Sequence, residues 1–193
     1  MLTSRSKDIV TSIPEEGNLL ASRIMNTAYF FIELFFMNPQ TTPLRILLIE
    51  DDIDDYMFFR DALSETGLNI ELKIATLCTN ILEVIGTSKE RLPHIIFLDL
   101  HMPMVSGYEC LKIIRDARYL NFIPIVIYST SASSFDIEDT FSGGANLYFT
   151  KPSSFQLLVT ALKNILQMNW GEFERERSRL NFVYKHTSLD QAA

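Results

Sequence analysis

Short apolar runs alternate with amphipathic segments along the chain from residue 42 onward. The apolar runs predict five strands, at 44–50, 70–75, 94–98, 125–129 and 146–149. The first, third and fourth are almost continuously aliphatic, which is typical of strands that are covered on both faces of a parallel sheet. Strands that alternate with helical segments predict an α/β fold with a parallel sheet.

The segments between these strands predict five helices, at 54–65, 79–85, 107–118, 135–141 and 154–168. Glycines at 67, 86, 143 and 144 are suited to end the helices. Asp54 and Asp55 stand at the start of the first helix, and Ser153 and Ser154 at the start of the last. Side chains of these types accept hydrogen bonds from free amides at a helix start.

Residues 1–41 differ in pattern from the rest of the chain. They contain the apolar run 28–37, which at ten residues with Glu33 inside is too short to span a bilayer. Three interpretations stay open: an amphipathic helix that docks on the domain or on a partner, a membrane-surface anchor, or sequence upstream of a true start at Met37. We therefore expect an N-terminal extension and linker at 1–41, a folded domain at 42–169 and a C-terminal extension at 170–193. In that extension, opposite charges at 172–177 can prolong the last helix before it frays.

Charge and cysteine content narrow the class of partner. The 193 residues carry a formal net charge of −7 and contain no basic cluster, which disfavours direct nucleic-acid binding and favours protein partners. Cys78 and Cys110 are far apart and lack metal-ligand spacing, so we expect two buried thiols in a reduced cytoplasmic protein. His94 and His186 have no partners at metal-ligand spacing either.

Acidic residues follow two of the predicted strands. Glu50 and Asp51 close the first, and Asp99 closes the third. Because ligands of open parallel sheets bind at the carboxyl ends of the strands, we expect these carboxylates to converge. Within ~4 Å each like-charge pair costs about 4 kcal/mol at an effective dielectric constant near 20, so the cluster needs a cation or a proton. An all-oxygen set of this kind suits Mg²⁺. Asp52, by contrast, is predicted to be an exposed loop acid.

Two further strand ends carry groups that suit phosphoryl chemistry. Ser129 ends the fourth strand and Lys151 follows the fifth. A phosphoryl group on Asp99 would then face a cation, an ammonium and a hydroxyl, which is the electrostatic clamp that phosphoryl transfer requires. An aspartate can itself be the nucleophile, because its carboxylate forms an acyl phosphate that water later cleaves.

The chain resembles the receiver domain of two-component response regulators over residues 44–168. The resemblance lies in four segments taken in order, LLIEDD at 47–52, IFLDLHMP at 96–103 with Gly107, Ser129-Thr130 and Lys151-Pro152. It implies a flavodoxin-like sheet of five parallel strands in the order 2-1-3-4-5, with helices on both faces.

The resemblance also implies a role for each site residue. Asp99 would be the phosphoacceptor, Asp51 a direct Mg²⁺ ligand and Glu50 a ligand through water. The backbone carbonyl of His101 would be a further ligand, while its side chain borders the site. Ser129 and Lys151 would bind the phosphoryl oxygens. Tyr148 would fill the space that is vacated when the loop of Ser129 moves inward.

The function that follows is a cytoplasmic phosphorylation switch that takes its phosphoryl group from a sensor histidine kinase or a phosphotransfer protein. It would signal to a downstream protein and be an enzyme only in catalysing its own phosphorylation and dephosphorylation, with no transmembrane span. The alternative is an aspartyl-phosphate phosphatase of haloacid dehalogenase type, which expects a second aspartate where His101 stands. A nucleotide binder is disfavoured because no glycine-rich phosphate loop follows the first strand.

Overall fold

The structure is a computed structural model that describes residues 42–88, 91–103 and 105–185. The apolar run 28–37, the candidate start at Met37 and His186 lie outside these residues.

Five parallel strands form one sheet in the order β2-β1-β3-β4-β5. The strands are β1 (Leu44–Ile49), β2 (Ile70–Ala75), β3 (Ile95–Leu98), β4 (Ile125–Ser129) and β5 (Leu147–Thr150). The helices are α1 (Ile53–Glu65), α2 (Ile81–Ile85), α3 (Gly107–Asp116), α4 (Ser134–Ser142), α5 (Phe155–Leu166) and α6 (Trp170–Arg175), with a 3-10 turn at Arg118–Leu120. The predicted flavodoxin-like fold is confirmed. Across the part of the chain that the structure describes, no helix combines the length and the apolar character needed to cross a bilayer.

The sheet separates two apolar layers, and the alternation along β1 shows how. Ile46 and Leu48 point into a layer shared with α1 and α5. Leu47 and Ile49 point into the opposite layer, which contains side chains of α2 and α3. All four side chains are buried, as expected for a strand that is covered on both faces.

The start of α1 differs from the sequence-based expectation, because its N-cap is Asp52 and not Asp54 or Asp55. Asp52 is exposed, as predicted, and its carboxylate accepts hydrogen bonds from the amides of Asp54 and Asp55 at 2.8 and 3.1 Å. Ser106 caps α3, and it forms a reciprocal capping box with Glu109. Both residues therefore have a local structural role.

The charge pattern predicted that the C-terminal segment prolongs α5, but the structure shows that it does not. Helix α5 ends at Leu166, and Asn169 caps the separate short helix α6, whose Trp170 is buried. The chain then turns back, and Val183 pairs with Tyr148 in a parallel bridge at the free edge of β5. We call residues 177–184 the C-terminal strap.

Cys78 and Cys110 form a disulfide, so the expectation of two separate thiols is wrong. Cys78 follows β2 and Cys110 lies in α3, and both are buried. The separation of 32 residues offered no sign of the pairing, because only the packing of α3 against the loop after β2 brings the two together.

Candidate functional site

The ends of β1 and β3 bring three carboxylates together. One oxygen each of Glu50, Asp51 and Asp99 lies within 4.8 Å of the others. The backbone positions them, since the amide of Glu50 donates to the Ala75 carbonyl at 3.0 Å and the amide of Asp99 donates to the Ile49 carbonyl at 3.0 Å. The cluster that the sequence predicted at this edge of the sheet is therefore present.

Lys151 reaches this cluster from the end of β5. Its Nζ lies 2.7 Å from Glu50 Oε2, 2.7 Å from Asp55 Oδ2 and 3.7 Å from Asp99 Oδ1. Although burial opposes the charged form, hydrogen bonds to Asp55 and Glu50 raise the pKa of Lys151. The ammonium also lies 5.1 Å from the ring centre of Tyr128. A permanent cation is thus fixed beside the carboxylates.

Asp55 is a site residue that sequence reasoning assigned only to helix capping. It lies in the first turn of α1, close to the ends of the strands, and its carboxylate contacts Lys151. The sequence carried no pattern that pointed to this contact.

Burial makes the acidic cluster electrostatically costly. Desolvation raises the pKa of Glu50 to about 7, against the opposing effect of Lys151. Asp99 is also buried, and its Oδ1 has no hydrogen-bond partner among the described residues. A buried carboxylate oxygen with no partner is unfavourable unless a ligand completes it. The oxygen donors and this orphaned atom fit a hard divalent cation.

Gly107 lets the start of α3 approach the backbone of Asp99. A Cβ atom at this position would lie 2.1 Å from the Asp99 carbonyl oxygen and 2.6 Å from Leu100 Cα. The amide of Gly107 donates to the Leu100 carbonyl at 3.1 Å. Glycine is therefore required here by space, which explains its place in the resemblance.

Ser129 and Tyr148 are joined through Ser131 in the loop between β4 and α4. The Ser129 hydroxyl accepts a hydrogen bond from the Ser131 amide at 3.3 Å, and Tyr148 Oη donates to the Ser131 carbonyl at 3.0 Å. Both Ser129 and Tyr148 are fully buried, and burial raises the pKa of Tyr148. The Tyr148 ring thus already occupies an inward position.

Asp136 ties the same loop to α3, and no sequence pattern pointed to this role. Its carboxylate accepts hydrogen bonds from Tyr108 Oη at 2.7 Å and from the Ser131 hydroxyl. These bonds lower the pKa of Asp136. The imidazole of His101 is half-exposed at the rim, with Nε2 3.9 Å from the same carboxylate.

His94 lies away from the cluster and interacts with Arg45. The Arg45 amide donates to Nδ1 at 3.0 Å, and the guanidinium lies 2.7 Å from Nε2. Burial lowers the pKa of His94 to about 4. The geometry is that of a packed core histidine.

Residues 46–163 match the family model of the response regulator receiver domain, which covers more than half of the chain. The chain belongs to the response regulator receiver family. The order of the strands agrees with this, and the match favours the receiver interpretation over the phosphatase of haloacid dehalogenase type.

Named relatives of this receiver domain are response regulators and a related regulatory protein. The polar-differentiation response regulator DivK of Brucella anthropi is 30% identical over 125 residues, covering 64% of this chain and 97% of its own. The probable methanogenesis regulatory protein FilR2 of Methanothrix harundinacea is 32% identical over 134 residues, covering 67% and 86%.

Solved receiver structures share the fold. The phosphorylated cyanobacterial phytochrome response regulator RcpA is 28% identical, with a TM-score of 0.57 over 64% of this chain and 91% of its own. The Mn²⁺-bound form of response regulator Rcp1 is 28% identical, with a TM-score of 0.56 over the same shares. This chain is therefore a receiver domain of two-component signalling. Receiver domains in general interact with histidine kinases, which supply the phosphoryl group.

Proposed function

We propose that Asp99 accepts a phosphoryl group from the phosphohistidine of a sensor histidine kinase or a phosphotransfer protein. A carboxylate oxygen of Asp99 would attack phosphorus, so that the P–N bond of the donor breaks as the new P–O bond forms. Water would later cleave the acyl phosphate. The observation that carries this proposal is the buried Oδ1 of Asp99, which has no hydrogen-bond partner among the described residues and lies 3.7 Å from the Lys151 ammonium.

We propose that the carboxylates of Glu50, Asp51 and Asp99, with the backbone carbonyl of His101, hold Mg²⁺. Asp51 would bind directly and Glu50 through water. The cluster of three oxygens and the Mn²⁺-bound form of Rcp1 support this assignment. When bound, a divalent cation offsets the negative charge of the carboxylates and of the phosphoryl oxygens.

Lys151 and Ser129 would hold the phosphoryl oxygens. Lys151 Nζ lies only 3.7 Å from Asp99, so it can exchange Glu50 or Asp55 for a phosphoryl oxygen without a large movement. Ser129 places a hydroxyl at the end of β4. In this structure that hydroxyl accepts a hydrogen bond from the Ser131 amide. Its donation to a phosphoryl oxygen would draw the loop inward.

We propose that Ser129 and Tyr148 form the switch. The hydrogen bond from Tyr148 to the Ser131 carbonyl supports a direct connection between the ring and the loop. Replacing Ser129 by alanine should leave phosphorylation of Asp99 intact but remove much of the conformational response, since the acceptor remains and the coupling hydroxyl is lost. Hydrogen exchange across residues 129–160, with and without beryllium fluoride, measures this response.

We also propose domain bounds, a compartment and a route of output for this receiver. The receiver domain would comprise residues 42–169, with extensions at 1–41 and 170–193, and would act in the cytoplasm. Its output would pass through contacts with a downstream protein. Catalysis would be limited to Mg²⁺-dependent self-phosphorylation and self-dephosphorylation.

Intact mass tests the acceptor directly. The protein is incubated with Mg²⁺ and a small acyl-phosphate donor, and the added mass of one phosphoryl group is measured. Asp99→Asn should abolish this mass and keep the fold, because the amide has nearly the same shape. The variant should also be more stable without metal, since it removes a repelling charge. Asp54→Asn, at the exposed start of α1, is the matched control and should be labelled like the wild type. Full labelling of Asp99→Asn would refute the assignment.

A further inference from the structure

The C-terminal strap pairs with one residue at the free edge of the sheet. The Tyr148 amide donates to the Phe182 carbonyl at 2.7 Å, and the Tyr184 amide donates to the Tyr148 carbonyl at 2.8 Å. Both backbone groups of Tyr148 that face away from β4 are therefore used by the strap. Exposed edge groups of this kind otherwise pair with water or with another chain.

Aromatic packing fixes the strap on both sides of this edge. Phe182 is 1% exposed, and its ring centre lies 5.0 Å from that of Phe141 on α4 and 6.2 Å from that of Tyr148. The ring centre of Tyr184 lies 5.3 Å from that of Phe149, and its hydroxyl accepts a hydrogen bond from the side-chain amide of Asn164 in α5 at 3.1 Å. The strap thus spans the surface between α4 and α5.

An arginine anchors the start of the strap. Arg177 donates to the carbonyls of Ala145 at 2.9 Å and Phe141 at 2.6 Å, and its guanidinium lies 4.2 Å from the Phe141 ring centre. Farther along, Arg179 forms an exposed ion pair with Glu138. By contrast, Leu180 of the same strap is 88% exposed. The anchors are therefore Phe182, which is buried, and Arg177, which is partly buried.

These contacts connect the strap to the loop after β4. The ring that packs against Phe182 belongs to Tyr148, whose hydroxyl donates to the Ser131 carbonyl. Because the strap lies along the outer edge of β5, Phe182 occupies the space beside the Tyr148 ring at that edge.

We propose that the C-terminal strap is an intramolecular ligand of the β5 edge that holds Tyr148 inward and so favours the arrangement that binds a phosphoryl group on Asp99. The inference rests on the proposed function, because it takes the inward ring to be the phosphoryl-bound arrangement. Coupling between two sites is reciprocal, so a phosphoryl group must tighten the strap as much as the strap favours the phosphoryl group.

The test measures both directions of this coupling in the full chain, with Mg²⁺ and beryllium fluoride as the phosphoryl mimic. Phe182→Ala should raise the beryllium fluoride concentration needed for half-saturation by about fivefold or more, the lower end of typical site-to-site coupling. Leu180→Ala, in the same strap but exposed, should bind like the wild type. In the wild type, the mimic should slow hydrogen exchange of residues 177–184.

Several outcomes would overturn the inference. They are an unchanged or tighter half-saturation for Phe182→Ala, an equal loss in Leu180→Ala, or faster exchange of the strap with the mimic. Strap protection that rises with protein concentration would also overturn it, because the strap would then dock between copies. If Phe182→Ala fails to fold, Arg177→Gln removes the other anchor and should weaken binding in the same way. A wild type that binds no beryllium fluoride would instead refute the proposed function.

Discussion

Two buried titratable groups should give this protein nearly level stability between pH 5 and pH 6. The native pKa of Glu50 is about 7, against 4.5 for an ordinary glutamate, and that of His94 is about 4, against 6.5 for an ordinary histidine. Burial is the main cause of both shifts. Native Glu50 therefore holds its proton where the unfolded chain releases it, and native His94 does the opposite.

The two groups act with opposite sign on the free energy of unfolding. Glu50 lowers stability as pH rises from about 4.5 to 7, because the unfolded state releases its proton first. His94 raises stability as pH rises from about 4 to 6.5, because the unfolded state binds the extra proton. At pH 5.5 each group differs by about 0.9 proton between the two states, which gives about 1.2 kcal/mol per pH unit in each direction. The two slopes cancel.

Glu50→Gln should reveal the rise in the free energy of unfolding with pH that is caused by His94. The variant keeps the shape of the side chain but not its titration, so its stability should rise by about 1.2 kcal/mol from pH 5 to pH 6 while that of the wild type stays nearly level. Urea unfolding in the absence of divalent cations, at half-unit steps of pH, measures the difference. Glu71→Gln, at an exposed position of β2, is the control. Parallel curves for wild type and Glu50→Gln would refute the reasoning.

Three further predictions concern the metal, the packing and the disulfide. Added Mg²⁺ should raise the melting temperature of the wild type and of Asp52→Ala, but should hardly change that of Asp51→Ala. Asp52→Ala should lose only about 1 kcal/mol of stability through the missing N-cap. Equal responses of the two variants to Mg²⁺ would show that the acidic pair is misassigned. Gly107→Ala should cost about 3 kcal/mol or more in urea unfolding, because its Cβ meets backbone. Reducing the Cys78–Cys110 disulfide should lower the free energy of unfolding by about 4 kcal/mol for a closed loop of this length; alkylation of both sulfurs in unreduced native protein would contradict the bond.

Much of the fold was readable because hydrophobic periodicity determines which faces of an element are buried. The aliphatic runs of β1, β3 and β4 predicted strands within one residue of their observed bounds. Residues that follow a strand also take predictable positions, so Glu50, Asp51 and Asp99 could be placed at one edge of the sheet from their order in the chain.

Apart from the helix caps, the missed features depend on contacts between residues that are distant in sequence. The charges at 172–177 predicted that the last helix continues and then frays, whereas one buried ring, Phe182, fixes the chain that follows on the edge of the sheet. Asp136 could not be foreseen because its partner Tyr108 lies 28 residues away, and Cys78 shows no local sign of its bond to Cys110. Sequence patterns predict individual helices and strands, whereas the contacts between them depend on how they pack.

The close approach of Gly107 to the backbone of Asp99 gives the site around Asp99 a fixed wall and an adjustable wall. On the fixed wall, the start of α3 lies directly against the backbone of Asp99, and the disulfide from Cys110 ties the same helix to the loop after β2. The loop of Ser129 forms the other wall. Changes of shape at this site should therefore occur at the adjustable wall, and a molecule that binds the fixed wall should leave them unaltered.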